Sequence, residues 1–86
     1  MKKYILLIIT TITFAQQNVL ISSNNTPNEP SIAINPNNTN QLIAASNIDN
    51  YYMSNDGGLT WTENQLSSSY GVWGDPCIIA DNMNNF

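Results

Sequence analysis

The chain is nearly devoid of basic residues, and this restricts the partners that it can bind. Lys2 and Lys3 are its only lysines, and both arginine and histidine are absent. The rest of the chain carries six acidic residues with no positive charge to balance them. Nucleic-acid binding depends on lysine and arginine to neutralise phosphates, and docking to anionic lipid depends on the same charges. The composition therefore argues against both kinds of partner.

Cysteine is equally scarce, because Cys77 is the only one and no internal disulfide can form. Without its amino-terminal segment the chain has about 70 residues, below the size at which one hydrophobic core is usually sufficient. Disulfides are the usual remedy in secreted domains. A partner, further copies of the same unit or additional chain must therefore complete the core.

The first residues, MKKYILLIITTITFAQQ, have the three parts of a secretory signal peptide. Two lysines precede an apolar run over residues 4–14, and the small residues Thr13 and Ala15 have the spacing of a cleavage site. The run is too short for a membrane span, which takes roughly 20 residues. A buried strand is the remaining alternative. We expect residues 1–15 to be a signal peptide and the protein to be secreted, with no membrane span.

The remaining apolar residues lie in short runs bounded by Asn, Pro, Gly or Asp, which is the pattern of strands separated by turns. No segment has apolar residues at helical spacing over three turns, so the mature chain is predicted to be all-β. Strands are expected at residues 30–35, 41–46, 50–54, 60–65 and 77–80. Runs such as SIAI and LIAA do not alternate with polar residues, which favours strands covered on both faces.

An internal repeat indicates how such strands are arranged. EPSIAINPNN begins at Glu29, and DPCIIADNMNN begins at Asp75, 46 residues later. Periods of about 40 to 50 residues built from short strands are typical of propeller blades. The sequence thus predicts a β-propeller of four-stranded antiparallel blades, with one blade and the start of a second present.

The stretch SNDGGLTW lies between the third and fourth predicted strands, where a tight hairpin is needed. Asp56 can accept hydrogen bonds from backbone N–H groups that the turn leaves unpaired. Gly57 and Gly58 can adopt positive φ, and Trp61 offers an apolar anchor beneath the turn. We therefore expect a hairpin with its tip at residues 56–58.

These residues resemble the Asp-box of sialidase-like (BNR-repeat) β-propellers, whose pattern is Ser/Thr-x-Asp-x-Gly-x-Thr-Trp/Phe. The matching positions are Ser54, Asp56, Gly58, Thr60 and Trp61. NEPSIAINPNNTNQLIAASN and YGVWGDPCIIAD are also similar to blade starts of secreted bacterial proteins in this group. The resemblance implies an amino-terminal segment at residues 16–27 and a propeller fragment at residues 28–86. That fragment comprises a blade at 28–66, a linker at 67–74 and the start of the next blade at 75–86.

The resemblance implies a structural Asp-box, since the box holds an outer hairpin in that superfamily, away from the central pocket. It leaves function open. The chain is expected to be an amino-terminal fragment of a secreted glycan-processing protein, or alternatively of a non-catalytic extracellular propeller that binds glycan or protein. Sialidases of this family bind the sugar carboxylate with three arginines, which are absent here. Nothing around Tyr51, Tyr52 or Tyr70 matches the motif of the tyrosine nucleophile.

Three further features of the sequence could carry chemistry. Glu29 and Asp75 could both lie near a propeller axis and act as a carboxylate pair, although capping of a strand start beside a proline is the simpler interpretation. Cys77 has no histidine to activate it and is expected to be a small buried residue. Residues 47–50 and 81–85 offer oxygen ligands for calcium but have no recognisable ligand spacing. No catalytic, cofactor-binding or metal-binding residue is therefore assigned, and no cofactor is expected.

Overall fold

The computed structural model describes residues 17–86 and shows an all-β chain. The predicted signal peptide at residues 1–15 lies outside the described residues. Across residues 17–86 no helix is present, and so none is long and apolar enough to cross a membrane.

Four strands form one antiparallel sheet in the order in which they occur along the chain. They are β1 (Ser31–Ile34), β2 (Leu42–Ser46), β3 (Asn50–Ser54) and β4 (Thr62–Gln65). The four strands predicted for the first repeat are therefore confirmed, with β3 matching at both ends. Because each strand pairs with the next one along the chain, only short connections are needed. This agrees with the turn residues found between the apolar runs.

The register divides the sheet into two faces. The first, here called the Tyr52 face, carries Leu42, Ala44, Tyr52 and Ser54, all of which are buried. The second, the Tyr51 face, carries Ile43, Ala45, Tyr51 and Met53. Both faces thus present apolar side chains, which is the physical consequence of runs that do not alternate with polar residues.

Segments from outside the sheet lie against each of its two faces. Residues 19–22 and Pro30 line an open apolar cavity with Ala44 and Tyr52 on the Tyr52 face. Residues 76–79 and Phe86 line another with Ile43 and Tyr51 on the Tyr51 face. The cover is incomplete, because Ile32 and Ile34 of β1 remain 55% and 52% exposed.

One predicted strand is absent, and the start of β4 was predicted two residues too early. Residues 77–80 form no strand, and the Ile78 amide donates a hydrogen bond to Ser31 Oγ of the sheet (3.0 Å). A strand requires a backbone ladder partner, and none of the described residues pairs with this segment. β4 begins at Thr62 rather than at residue 60, because the Thr60 amide hydrogen bonds to Asp56 and is not free for the ladder.

The internal repeat reappears in the turns. After β1, the side-chain oxygen of Asn35 accepts the amide of Asn37 at 2.9 Å. The residues 46 positions later do the same, since Asp81 Oδ1 accepts the amide of Met83 at 2.7 Å. The two turns also touch, because Asn37 Nδ2 donates to the carbonyl oxygen of Asn82 at 2.7 Å. Equivalent parts of the two copies therefore share a local fold and lie side by side.

Candidate functional site

The ends of the sheet differ in chemistry. We call one the hairpin end, which comprises the β1–β2 turn (residues 35–41) and the β3–β4 turn (residues 55–61). The other, the open end, comprises residues 25–30, the β2–β3 turn (residues 47–49) and the end of β4 with Leu66. The hairpin end holds the residues that resemble an Asp-box, and the open end holds Glu29.

Asp56 is the centre of the hairpin end. Its Oδ1 accepts the Thr60 backbone amide at 2.9 Å, and its Oδ2 accepts the Thr60 hydroxyl at 2.5 Å. Thr60 thus donates twice to one carboxylate across the turn. The acceptor role predicted for Asp56 is confirmed in this geometry.

Ser54 completes the connection from the strand side. Its hydroxyl donates to Asp56 Oδ1 at 2.8 Å and accepts the Gly58 amide at 2.9 Å. The residue is only 2% exposed, so these bonds are sheltered from water. One serine and one aspartate therefore satisfy donors from both halves of the turn.

The two glycines carry the backbone through conformations that other residues adopt at a cost. Gly57 has φ of 75° and Gly58 has φ of 90°. The Gly57 amide donates to the carbonyl oxygen of Asn40 at 3.0 Å, which ties this turn to the β1–β2 turn. Trp61 Nε1 donates to the Gly58 carbonyl oxygen at 3.0 Å, so the half-buried indole anchors the turn by a hydrogen bond.

These contacts determine the charge state of Asp56. The Thr60 hydroxyl, then the Thr60 amide and then the Ser54 hydroxyl lower the pKa of Asp56 from 3.8 to about 2. All three groups donate to the ionised carboxylate and so favour it. At neutral pH Asp56 is therefore an anion whose two oxygens are already occupied, and it is unsuited to transfer protons to a substrate.

Glu29 and Asp75 are brought together, as the repeat suggests for two equivalent positions. A side-chain hydrogen bond with Asp75, followed by the repulsion between the two charges, raises the pKa of Glu29 from 4.5. Both residues are exposed. Within residues 17–86 no three residues of the types His, Cys, Asp and Glu form a group that could hold a metal.

Cys77 does not have the burial expected of it, and the oxygen-rich 81–85 loop forms hydrogen bonds within itself. Cys77 is exposed, so its prediction as a buried residue was wrong, because residues 77–80 cross the sheet face without joining a ladder. In the 81–85 loop, both carboxylate oxygens of Asp81 accept hydrogen bonds. Its Oδ1 accepts the amides of Met83 and Asn85, and its Oδ2 accepts Asn85 Nδ2 at 2.9 Å. The Asn85 bonds and then that of Met83 lower the pKa of Asp81.

The three tyrosines have different surroundings. Tyr52 is 3% exposed, and its hydroxyl hydrogen bonds to Ser46 Oγ at 3.0 Å. Tyr51 is half-buried on the opposite face, and Tyr70 is 92% exposed in the stretch before the second copy. They do not converge on one site.

The open end contains a feature that the sequence did not predict. A cavity of about 300 Å³ is lined almost entirely by polar residues, and Ile48 is the apolar exception. Its lining residues are Asn25, Thr26, Asn28, Asn47, Ile48, Asp49, Asn50 and Gln65. The sequence marked residues 47–50 as rich in oxygen ligands, but nothing in it indicated that residues 25–28 and Gln65 lie beside them.

Comparison with known proteins adds no family assignment. No family model, no curated protein and no solved structure matches the chain.

Proposed function

We propose that this chain is part of a secreted sialidase-like β-propeller that processes glycans, and that the four-stranded sheet is one of its blades. The observation that carries the proposal is the interlocked hairpin of Ser54, Asp56, Gly58, Thr60 and Trp61. Its five residues occupy the positions of the Asp-box pattern, and it joins the third and fourth strands of a four-stranded antiparallel sheet.

The second copy of the repeat supports radial stacking of such sheets. Residues 75–86 lie against the Tyr51 face, and their turn contacts the equivalent turn of the first copy. Ile78 lines the cavity on that face, and its counterpart 46 residues earlier is the half-exposed Ile32. An equivalent surface from another blade would cover Ile32 in a propeller, where each blade is packed between two neighbours.

In this proposal the residues of the chain support the blade, and they do not form a complete active site. The chain offers no arginine for a sugar carboxylate, and both carboxylate oxygens of Asp56 already accept hydrogen bonds within the turn. Glu29 at the open end lies close enough to Asp75 for a hydrogen bond and charge repulsion to raise its pKa. The second candidate is a non-catalytic propeller that binds glycan or protein, which would need no arginine set.

The test is an activity and binding survey of the intact protein. Release of sugar from a panel of 4-methylumbelliferyl glycosides, including a sialoside, would support the glycan-processing function. Binding on a glycan array without release from any substrate would support the second candidate. Absence of both binding and release would refute the glycan function altogether. A structure in which these strands belong to a sheet outside a radial array would refute the propeller.

A further inference from the structure

A set of hydrogen bonds frames the cavity at the open end. Asn50 is 2% exposed, its Nδ2 donates to the Asn47 carbonyl oxygen at 3.1 Å, and its Oδ1 accepts Asn25 Nδ2 at 3.1 Å. Asn28 and Asn47 are joined twice, through the Asn47 amide to the Asn28 carbonyl oxygen and the Asn28 amide to Asn47 Oδ1. The Leu66 amide donates to the Asp49 carbonyl oxygen at 2.7 Å. The residues that shape the cavity are thus held before any ligand arrives, which lowers the cost of binding.

Other side chains around the cavity keep their hydrogen-bonding capacity. Within residues 17–86 the side chains of Thr26, Asn28, Asp49 and Gln65 hydrogen bond to no other protein group. Carboxamides and a hydroxyl supply both donors and acceptors, and the carboxylate supplies acceptors. Ile48 is 50% exposed and adds one apolar surface to this polar wall.

These properties select the chemistry of the ligand. No basic residue lies in the cavity, and Asp49 adds a negative charge, so an anion would be repelled. The volume of about 300 Å³ is at the lower end of small-molecule sites, which span roughly 300–1,000 Å³. Calcium would need six to eight oxygens. Only one carboxylate is present, and the Asn47 and Asn50 side-chain oxygens already accept N–H groups.

We propose that this cavity binds a neutral sugar, whose hydroxyl groups exchange hydrogen bonds with Asn28, Asp49 and Gln65 while its C–H surface lies against Ile48. Sugar hydroxyls both donate and accept, as the cavity wall does. The inference does not depend on the proposed propeller, because every group that carries it lies within residues 25–66.

The experiment is an NMR titration of the intact ¹⁵N-labelled protein at neutral pH. The neutral probes are maltotriose and N,N′-diacetylchitobiose, N-acetylneuraminic acid is the anionic comparison, and calcium chloride is a separate arm. We expect at least one neutral probe to shift the amides of residues 47–50 and Gln65 with saturation, and N-acetylneuraminic acid and calcium to leave them unchanged.

Two variants test the contacts. Gln65→Ala and Asp49→Ala remove side chains that hold no part of the frame, and each is expected to weaken binding by about 5- to 30-fold, as loss of one or two hydrogen bonds does. Asn64→Ala is the matched control, because it removes a carboxamide from the same strand on the other face of the sheet and should leave affinity unchanged.

Several outcomes would overturn the proposal. One is the absence of any shift at about 10 mM probe, well above a millimolar dissociation constant. Another is calcium-induced shifts at these residues that EDTA reverses, which would make the cavity a metal site. Sugar-induced shifts confined to other residues would place the glycan elsewhere, and they would leave the proposed glycan function intact while refuting this site. Equal affinity of wild type and Gln65→Ala, with both folded, would also contradict it.

Discussion

Removal of the Ser54 hydroxyl is the most direct test of how the hairpin is held. Ser54→Ala leaves the backbone unchanged and deletes one atom that accepts the Gly58 amide at 2.9 Å and donates to Asp56 Oδ1 at 2.8 Å. The site is nearly closed to solvent, since the residue is 2% exposed. Water therefore cannot readily replace the lost oxygen.

The size of the effect follows from the groups left without partners. A buried donor that loses its acceptor costs about 1–3 kcal/mol in the free energy of unfolding. Gly58 is half-buried, so the lower part of that range applies, about 1–2 kcal/mol. In a residue that exchanges by local opening, this corresponds to about 5- to 30-fold faster hydrogen exchange of the Gly58 amide.

The assay combines urea denaturation with hydrogen exchange in the intact protein. Ser54→Thr is the control, because it retains the hydroxyl and conforms to the Ser/Thr position of the pattern; it should preserve protection of the Gly58 amide. If Ser54→Ala had the stability and Gly58 exchange rate of wild type, the hydroxyl would not hold this turn. Equal loss in Ser54→Ala and Ser54→Thr would assign the effect to shape instead of hydrogen bonding.

The same network predicts a response to acid. The pKa of Asp56 is about 2 in the folded chain and 3.8 ordinarily, so the unfolded state takes up the proton first as pH falls. The stability conferred by ionised Asp56 is thus fully present above pH 3.8 and is lost as pH falls from 3.8 through about 2. Asp56→Asn should remove this dependence, and Ser54→Ala should move it to higher pH. An identical acid profile for wild type and Asp56→Asn in urea melts would contradict this.

Other substitutions test neighbouring features. Gly58→Ala should destabilise by about 1–3 kcal/mol, because φ of 90° is strained for alanine although a Cβ would lie 3.6 Å from the Trp61 ring; an unchanged urea midpoint would disprove it. Tyr52→Phe should cost about 1–2 kcal/mol by leaving the Ser46 hydroxyl unpaired, whereas Tyr51→Phe, the control, should cost little; equal losses would show that the hydroxyl is irrelevant. Asp75→Asn should lower the pKa of Glu29 toward 4.5, because it removes the carboxyl that hydrogen bonds to Glu29 and the negative charge that repels it. A pKa of Glu29 that stayed raised in an NMR titration would contradict this. The stability associated with the raised pKa is present below pH 4.5 and is lost as pH rises through the folded pKa, so Asp75→Asn should also flatten that dependence.

Local chemistry explains why the hairpin could be predicted from sequence. Gly57 and Gly58 provide positive φ, and Asp56 contacts groups within four residues along the chain, so the turn is largely specified by one octapeptide. The proximity of Glu29 and Asp75 was suggested by the repeat, in which the two residues occupy equivalent positions. The start of β4 was mispredicted because Thr60 has high strand propensity, yet its amide is captured by a side chain.

Non-local contacts explain what could not be predicted. The bond between Asn25 and Asn50 joins residues 25 positions apart, and asparagine is so common in this chain that no single one is distinguished. Whether Cys77 is buried depends on which residues cover its segment, and that segment pairs with no described strand. The composition of the segment does not specify its cover. Short-range turn chemistry was therefore accessible from the sequence, whereas the cavity at the open end was not.

The contrast between the two ends of the sheet gives a physical criterion for assigning roles to polar residues. At the hairpin end both carboxylate oxygens of Asp56 already accept donors from Thr60 and Ser54, so a ligand would have to displace protein contacts. At the open end the Asn50 side chain is similarly occupied, and its bonds hold the cavity wall together. The same wall carries Asp49 and Gln65, whose side chains hydrogen bond to no other protein group within residues 17–86. A ligand that displaces protein hydrogen bonds loses their free energy, whereas donors and acceptors without a protein partner are available to it. Binding is therefore expected where side chains keep unused donors and acceptors. The residues that resemble a known motif are therefore the ones that hold the turn, and the unpaired side chains at the other end are where recognition should be sought.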